Sequence, residues 1–479
     1  MEEERRSIGL EDGFRFDYTH MTGEEGVTAA DLERLRPAMV RAAQAVEEIV
    51  ATGTSRGHLS KDGAPEPVYF ARQAYLREGN PNTEESLARL EAMGDAWQNN
   101  VDAAVFIGIG GSYLGEKLMF ELATHPYWNQ LPGDERQGRP QIYFAGNNVD
   151  GDSLYGLVAM LELQSRALGR PLRVQLVPMS KSGTTMEPLT AFTALWEHLH
   201  QHPLEFEVDV TVVTELSESS LLYRMAEKQG WEKLEIPVGI GGRFCVLSNP
   251  GLLMGAVLGY DIRSLLAGAR EMAERCLKGS LEENPALLNA ALKYLAAEKL
   301  GAPIEVFMGY GDKLKILGEW YVQLLAESLG KRQRRDGKNI FYGRTPVVAL
   351  GTTDMHSMTQ QHQDGARDKV LQFVEVERPA AQVRVPNPFP EEPGFDRYAG
   401  RNMDTLLKAA LNANEQALAG DGRLSARYIL PELSPRHVGQ LLMFLMFSIA
   451  YEGELADVDA YDQPGVESYK RIMKKELEG

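Results

Sequence analysis

The residues best suited to chemistry are a run of hydroxyl side chains at the start of a predicted helix. Ser180, Ser182, Thr184 and Thr185 lie within the six residues SKSGTT, between the apolar run RVQLV and a helix that begins near Glu187. Hydroxyl and backbone N–H groups at a helix N-terminus bind phosphate without needing much positive charge. The alternative interpretation is an elaborate N-cap. Because the loop lacks the GxxxxGK[ST] pattern, it favours a phosphorylated small molecule over a nucleoside triphosphate.

A second loop of this kind follows the apolar run Ala103–Ile109. Its sequence runs from Gly108 through Gly111 to Ser112 and leads into a helical pattern. Glycines let the backbone approach a ligand closely, and Ser112 adds a hydroxyl at the helix start. Many strand-to-helix turns are glycine-rich for packing reasons alone, so this loop by itself leaves both interpretations open.

A carboxylate falls on the apolar face of another predicted helix. The apolar positions of that helix are spaced by three and then four residues, and they are Leu317, Trp320 and Leu324. The next position in the series is Glu327. Partial burial disfavours the charged form of a carboxylate and makes it a better general base. The alternative is a Glu that pairs with the following Lys331 or Arg332.

Among the nine histidines, His356 is the one whose position suggests a role. It follows the apolar run VVALG and a short turn, which places it at the carboxyl end of a predicted strand, where reactive groups collect. His198, His200 and His202 alternate around the end of a helix. They have no carboxylate or cysteine partner at a suitable spacing, so we predict a solvated cluster rather than a metal site.

Short apolar runs alternate with helical patterns along most of the chain. The runs that read as strands are 103–109, 141–145, 173–177, 208–213, 303–308 and 346–350, and the stretches 253–277 and 314–329 read as helical. This alternation predicts parallel sheets covered by helices on both faces. We therefore predict an α/β fold with two three-layer αβα sandwiches, at residues 101–280 and 281–455. A helical N-terminal segment (1–100) precedes them, and a C-terminal arm (456–479) follows.

Composition excludes some classes of function. The 479 residues include 50 Lys and Arg against 68 Asp and Glu, giving a net charge of −18, which argues against nucleic acid as a partner. The longest apolar run, Leu441–Tyr451, is shorter than the roughly 20 residues that span a bilayer, so we predict a buried helix and no membrane association. The opening MEEERR lacks the apolar core of a signal peptide, which favours a cytoplasmic location.

Two smaller features are less informative. Cys245 and Cys276 are too few for a disulfide framework and are predicted to be reduced and buried. The basic cluster Lys331–Arg335 is predicted to be a solvated loop rather than a phosphate-facing surface.

Taken together, six segments resemble the glucose-6-phosphate isomerase (phosphoglucose isomerase) family. In chain order they are FIGIGGSYLG, SKSGTTMEP, GGRFCVLS, AESLGK, DMHSMTQ and DQPGVESYK. They extend from about Gly108 to Lys470, and the spacing from Glu327 to His356 resembles the compact bacterial branch. The resemblance implies two flavodoxin-like sugar-isomerase (SIS) sandwiches. It also implies reversible conversion of glucose 6-phosphate to fructose 6-phosphate without a metal or organic cofactor.

The resemblance also implies roles for individual residues. Those expected to bind the substrate are Gly111, Ser112, Ser180, Lys181, Ser182, Thr184, Thr185 and Gln463. Arg243 is expected beside the reacting carbons, and Glu327 is expected to move the proton. His356 and Lys470 are expected to open the sugar ring. A homodimer is implied in which the histidine reaches the active site of the neighbouring subunit.

Two alternatives stay open from the sequence. The first is an isomerase that also accepts mannose 6-phosphate, a specificity that depends on one or two pocket side chains. The second is a non-catalytic SIS-domain sensor of sugar phosphates. The presence of Glu327, His356 and Lys470 together, and an acidic N-terminus instead of a basic helix-turn-helix, disfavour the sensor.

Overall fold

The chain forms two compact units. A computed structural model describes residues 5–60, 62–278 and 280–478. Pro67–Leu266 form one unit, called here the inserted unit, and the described residues of Met1–Glu66 and Ala267–Gly479 form the other, called the terminal unit. Residues 1–100, predicted as one helical segment, are therefore divided between the two units, and they contain short strands as well as helices.

The elements are numbered in chain order. The strands are β1 (Ser7–Gly9), β2 (Arg15–Asp17), β3 (Thr54–Leu59), β4 (Pro65–Pro67), β5 (Ala103–Ile107), β6 (Gln141–Ala145), β7 (Leu172–Pro178), β8 (Phe206–Thr214), β9 (Glu232–Glu235), β10 (Ile304–Tyr310), β11 (Lys331–Gln333), β12 (Asn339–Tyr342), β13 (Thr345–Gly351), β14 (Lys369–Val376) and β15 (Ser425–Leu430). The helices are α1 (Ala29–Thr52), α2 (Glu84–Trp97), α3 (Gly111–Ala123), α4 (Gly151–Leu168), α5 (Met186–Gln201), α6 (Leu221–Gln229), α7 (Asn249–Leu258), α8 (Ile262–Lys278), α9 (Pro285–Glu298), α10 (Leu314–Leu329), α11 (Thr359–Asp364), α12 (Met403–Gly420), α13 (Pro435–Ala456) and α14 (Glu467–Glu478).

The inserted unit is built on a five-stranded parallel sheet in the order β6-β5-β7-β8-β9. Every residue of β5 is buried, as expected of a parallel strand that is covered on both faces. On one face, Val105 packs with residues of α4, α5 and α6, among them Leu161, Leu195 and Ala226. Numbered within the sheet, the order is 2-1-3-4-5, that of flavodoxin-like doubly wound folds.

The terminal unit has a six-stranded sheet in the order β1-β2-β15-β14-β10-β13. The last four strands in this order are mutually parallel, and they repeat the 2-1-3-4 order of a doubly wound fold. The N-terminal strands β1 and β2 add an antiparallel edge to this sheet, with Phe16 of β2 opposite Tyr428 of β15. The predicted α/β fold with two parallel-sheet sandwiches is confirmed.

The longest apolar helix is α13, which lies inside the terminal unit. It is the one helix among the described residues that is long and apolar enough to cross a membrane, yet 94% of its apolar window is buried within the protein. All residues from His437 to Gly453 are buried. The sequence prediction of a buried helix at Leu441–Tyr451 is confirmed.

Two local predictions need correction. The stretch 253–277, predicted as helical throughout, forms α7 and α8 with a break at Gly259, whose φ of 72° ends α7 in the left-handed conformation. The basic cluster is only partly solvated: Arg332, Gln333 and Arg334 are exposed as predicted, but the cluster begins the hairpin of β11 and β12 instead of a loop. The side chains of Lys331 and Arg335 are buried there. Lys331 forms an ion pair with Asp462, and Arg335 forms one with Glu454, so these two charges are neutralised by protein groups instead of water.

Candidate active site

The two predicted phosphate loops follow adjacent strands of the inserted unit. β5 pairs with β7, and Ile107 lies opposite Pro178 at their carboxyl ends. The direction of the strand order reverses at β5, and doubly wound folds bind ligands beyond the strand ends at such a point. The structure therefore brings the loops 108–112 and 180–185 to one edge of the sheet.

The hydroxyl loop is internally hydrogen-bonded and leaves part of its hydroxyls exposed. The Ser180 and Thr185 hydroxyls are 2.9 Å apart, and those of Ser182 and Thr184 are 3.0 Å apart. The Ser180 side chain is buried and accepts a hydrogen bond from the Gly183 N–H at 3.1 Å, whereas Ser182 and Thr184 are exposed. Thr185 is the N-cap residue of α5 but makes no side-chain cap hydrogen bond. The start of α5 is therefore not capped by its own N-cap side chain, as suits an anion-binding helix end.

Residues from a neighbouring strand hold this loop, and sequence analysis did not identify them. The Thr214 hydroxyl, at the end of β8, donates to the Ser180 carbonyl at 2.7 Å and also lies 2.6 Å from the Ser220 hydroxyl. Gly183 has a φ of 70°, and a Cβ built on it would lie 2.5 Å from the Leu222 backbone nitrogen. Only the pairing of β7 with β8 brings these residues to the loop.

The glycine loop lies against the turn that carries Arg243. A Cβ on Gly111 would lie 1.8 Å from the Gly242 carbonyl oxygen, so the two backbones are in direct contact. The Cys245 thiol donates to the Gly111 carbonyl at 3.5 Å. Arg243 is 1% exposed and its guanidinium lies 5.4 Å from the Phe244 ring centre. Ser112, in the first turn of α3, is half-buried.

Three further residues named from the sequence are Lys181 and Cys245 in the inserted unit and Cys276 in the terminal unit. Lys181 is exposed in the hydroxyl loop, where its carbonyl accepts a hydrogen bond from the Glu215 N–H at 3.2 Å. Cys245 and Cys276 are both buried free thiols, as predicted, and burial raises the pKa of each.

Glu327 lies in the last turn of α10 and is half-buried. Its Oε1 accepts a hydrogen bond of 3.1 Å from the side-chain amide of Gln323, one turn earlier. The Lys331 ammonium donates to the Glu327 backbone carbonyl at 2.9 Å. Gln323 is not among the residues predicted from the sequence, although its four-residue spacing from Glu327 places the two side chains on one face of the helix.

His356 lies at the carboxyl end of β13, as predicted, in a short 3-10 turn that spans Thr353–His356. The turn is held by Asp354, which accepts hydrogen bonds from the Leu350 N–H at 2.7 Å and the Ser357 hydroxyl at 2.8 Å. The imidazole is exposed, and none of the described residues hydrogen-bonds to it. It is thus presented outward on a fixed turn.

The other two predicted residues of the terminal unit are also exposed. Gln463 precedes a 3-10 turn at Pro464–Val466, directly after Asp462. Lys470 lies in the first turn of α14 and is 3.4 Å from Glu467 on the same helix, with half of its side chain exposed. Both residues are therefore carried by short elements near the end of the chain rather than by the sheet.

The histidine-rich end of α5 is occupied by local hydrogen bonds. His198 contacts Glu162 at 3.0 Å, His200 bonds to the Trp196 carbonyl, and His202 bonds to the His198 carbonyl. Across the part of the chain that the structure describes, no three His, Cys, Asp or Glu side chains are grouped so as to hold a metal ion.

The chain is a doubly wound α/β protein, and the start of α5 with its hydroxyl loop lies beyond the carboxyl ends of the strands. A hypothetical protein of Thermus thermophilus has a TM-score of 0.79 and 32% identity, over 97% of this chain and 100% of that one. A glucose-6-phosphate isomerase of Chlamydia trachomatis shares the fold with a TM-score of 0.78 and 23% identity, over 98% and 89% of the two chains.

The phosphoglucose isomerase family matches residues 85–387. The glucose-6-phosphate isomerase of Carboxydothermus hydrogenoformans is 38% identical over 388 residues, which cover 81% of each chain. That of Rubrobacter xylanophilus is 36% identical over 460 residues, which cover 95% of this chain and 96% of the relative. The chain belongs to the phosphoglucose isomerase family, and the family and enzyme class predicted from the six segments are confirmed.

Proposed function

We propose that this chain catalyses the reversible isomerisation of glucose 6-phosphate and fructose 6-phosphate, with the residues described above in the roles that the sequence predicted. The observation that carries the proposal is the hydroxyl loop at the uncapped start of α5, in a chain that belongs to this family. The sequence relatives compared are all named glucose-6-phosphate isomerase, and nothing favours the mannose 6-phosphate or sensor alternatives.

In this proposal the inserted unit binds the phosphate. Exposed hydroxyls of Ser182 and Thr184, the N–H groups at the start of α5 and the Lys181 ammonium supply donors for a dianion. Ser112 and Gly111 supply the second loop at the same edge of the sheet. This explains how a chain of net charge −18 accommodates a dianionic substrate: a few local donors set the potential of the site, whatever the total charge.

The chemical steps fall to the remaining residues. His356 and Lys470 exchange the protons that open the sugar ring. Glu327 removes a proton from carbon 2 and returns it to carbon 1 through a cis-enediol(ate). The buried guanidinium of Arg243 stabilises the negative charge that develops on the enediolate oxygens, because it is fixed before the reaction and needs no reorganisation. Gln463 contributes to substrate binding. No metal or organic cofactor is needed in this scheme.

A homodimer with shared active sites is part of the proposal. The exposed imidazole of His356 is presented on a rigid turn without a described hydrogen-bonding partner. A histidine placed in this way is suited to completing the site of a second copy of the chain. We place the enzyme in the cytoplasm, where sugar phosphates are interconverted.

The test is a coupled assay in which glucose 6-phosphate and mannose 6-phosphate are supplied side by side to the purified full-length chain. Conversion of glucose 6-phosphate with little use of mannose 6-phosphate is expected. Comparable rates on both substrates would favour the dual-specificity alternative. Tight binding of fructose 6-phosphate without turnover would favour the sensor.

A further inference from the structure

We propose that Lys331 is a positioning residue, whose buried ammonium fixes Glu327 and the loop that carries Gln463 relative to each other. This inference rests on the proposed function, because it assigns Lys331 a part in the same reaction. From the sequence, Lys331 is predicted either as a member of a solvated basic cluster or as a partner of the Glu327 side chain. All residues involved lie in the terminal unit.

The ammonium of Lys331 has acceptors from two separate segments. Its Nζ donates to the Glu327 carbonyl oxygen at 2.9 Å and to the Asp462 carbonyl oxygen at 2.5 Å, and it lies 2.8 Å from the Asp462 carboxylate. The side chain is 5% exposed. Burying an ammonium is costly unless it is hydrogen-bonded and paired with a charge, so the two carbonyl acceptors and the ion pair with Asp462 all resist displacement.

The backbone of Lys331 is fixed independently of its side chain. Gly330 ends α10, and its N–H bonds to the Ala326 carbonyl at 3.0 Å. Lys331 then begins β11 and pairs with Tyr342 of β12. The side chain turns back from the hairpin onto the last turn of α10, where a cation also interacts favourably with the helix dipole.

The segment that follows α13 is held at several points, and Lys331 holds it at Asp462, next to Gln463. Arg335 contacts Asp457, and the His58 ring nitrogen lies 2.9 Å from Asp459. These two contacts attach the segment to hairpins but do not involve α10. The contacts of Lys331 differ from them because they also reach the residue proposed as the catalytic base.

Lys331 thereby fixes the position of the proposed base, Glu327, relative to the proposed substrate-binding residue, Gln463. One atom contacts the main chain of Glu327 and the main chain of the residue that precedes Gln463. A displacement of about 1 Å at a reacting group costs on the order of 10²-fold in rate. Loss of the ammonium should therefore reduce kcat more than it weakens substrate binding.

The experiment compares Lys331→Met, Lys331→Arg and the matched control Lys369→Met in the full-length chain. Lys369 is also buried, with 4% of its side chain exposed, and it also binds a backbone carbonyl, that of Ala366 at 2.8 Å, and a carboxylate, that of Asp368. Both methionine variants lose a buried ammonium, so both should unfold at a lower temperature. The assays are run well below both transitions.

The expected result is that Lys331→Met lowers kcat for fructose 6-phosphate by roughly 10- to 100-fold and changes KM less than about threefold. Lys331→Arg should recover part of kcat, and Lys369→Met should keep wild-type kcat. Sorbitol 6-phosphate has no carbonyl to isomerise, and its Kd should differ by less than about threefold among the four proteins. Equal kcat in Lys331→Met and Lys369→Met would overturn the proposal.

A second readout separates this inference from the proposed function. Backbone hydrogen exchange in residues 326–330 and 460–466 should be faster in Lys331→Met than in Lys369→Met. If the wild-type chain does not isomerise glucose 6-phosphate, the proposed function fails. Hydrogen exchange then still tests whether Lys331 holds the two segments in place. Unchanged protection of both segments would refute it.

Discussion

Glu327 and His356 lie at opposite ends of β13. A Cβ on Gly343, two residues before the strand, would lie 2.9 Å from the Gly330 Cα, so the last turn of α10 is next to the amino end of β13. His356 follows the carboxyl end, five residues after Gly351. A strand of seven residues is about 20 Å long, so the two side chains of one chain do not meet on one small sugar.

This separation predicts that two variants, each inactive on its own, restore activity when they form a mixed dimer. Glu327→Gln and His356→Ala should each be inactive when expressed alone. When they are co-expressed, about half of the dimers are mixed and each mixed dimer has one complete site, so about a quarter of wild-type activity is expected. Co-expression of Glu327→Gln with the double variant provides the control and should restore nothing. Activity of the first mixture at the level of its parents would contradict site sharing.

The role of Glu327 has its own test. Glu327→Gln keeps the size and the hydrogen-bonding capacity of the side chain but removes the base, so kcat should fall by about 10²–10⁴-fold. Fructose 6-phosphate should still bind, as measured by calorimetry. Glu319→Gln, on the same helix, serves as control and should keep its activity. Retention of more than about a tenth of kcat by Glu327→Gln would rule out a general base at this position.

Gly183→Ala should disrupt the phosphate loop. Its φ of 70° and the Leu222 nitrogen at 2.5 Å from a Cβ require the loop to move, so KM for fructose 6-phosphate should rise at least about tenfold. Gly230→Ala is a matched control, since Gly230 has a φ of 73° and nothing lies within 4 Å of a Cβ there. It should lose about 1–2 kcal/mol of stability and keep its KM. Equal KM values in the two variants would contradict the prediction.

The burial of Glu116, in α3, predicts that the free energy of unfolding falls as the pH rises. It is fully buried, and no described residue hydrogen-bonds to either carboxyl oxygen. Burial raises the pKa of Glu116 well above its ordinary value. Above about pH 4.3 the unfolded chain loses this proton while the folded chain keeps it, so stability falls as the pH rises toward the folded pKa.

Glu116→Leu should remove this dependence. At pH 8 the variant should be more stable than the wild type by about 1–3 kcal/mol, and the difference should shrink toward about pH 4.5. Urea unfolding at the two pH values measures the effect. Glu121→Gln serves as the control, because Glu121 pairs with Lys117 at 2.8 Å near the surface of the same helix and should show no comparable trend. The same difference in unfolding free energy between Glu116→Leu and the wild type at both pH values would contradict a raised pKa of Glu116 as the cause.

The elements with strong sequence patterns were predicted most accurately. The helix 314–329 and the strand 141–145 have the predicted bounds, because an uninterrupted apolar period fixes both ends. β1 and β2 could not be predicted, since three-residue strands such as RFD have no period of their own and form only because β15 offers an edge. Short strands of this kind depend on tertiary pairing.

The candidate site shows the same limit. Ser180, Glu327 and His356 could be found because each stands beside an apolar run with a clear period. Thr214 could not be found, because its contact with the hydroxyl loop exists only after β7 and β8 pair. Charge alone predicted the wrong environment for Lys331 and Arg335, since their partners Asp462 and Glu454 lie more than 100 residues away along the chain.

The insertion of Pro67–Leu266 within the terminal unit determines the order in which the two units can form during synthesis. The inserted unit is continuous, so all of its strands have left the ribosome before β10 is made. The terminal unit must wait, because β2 pairs with β15 and these strands are about 400 residues apart. Until Ser425–Leu430 are synthesised, β1 and β2 have no sheet to join, and such long-range pairings form slowly. A growing chain thus carries these two strands without their sheet through most of its translation, which is the interval in which chaperone binding at that end would matter most.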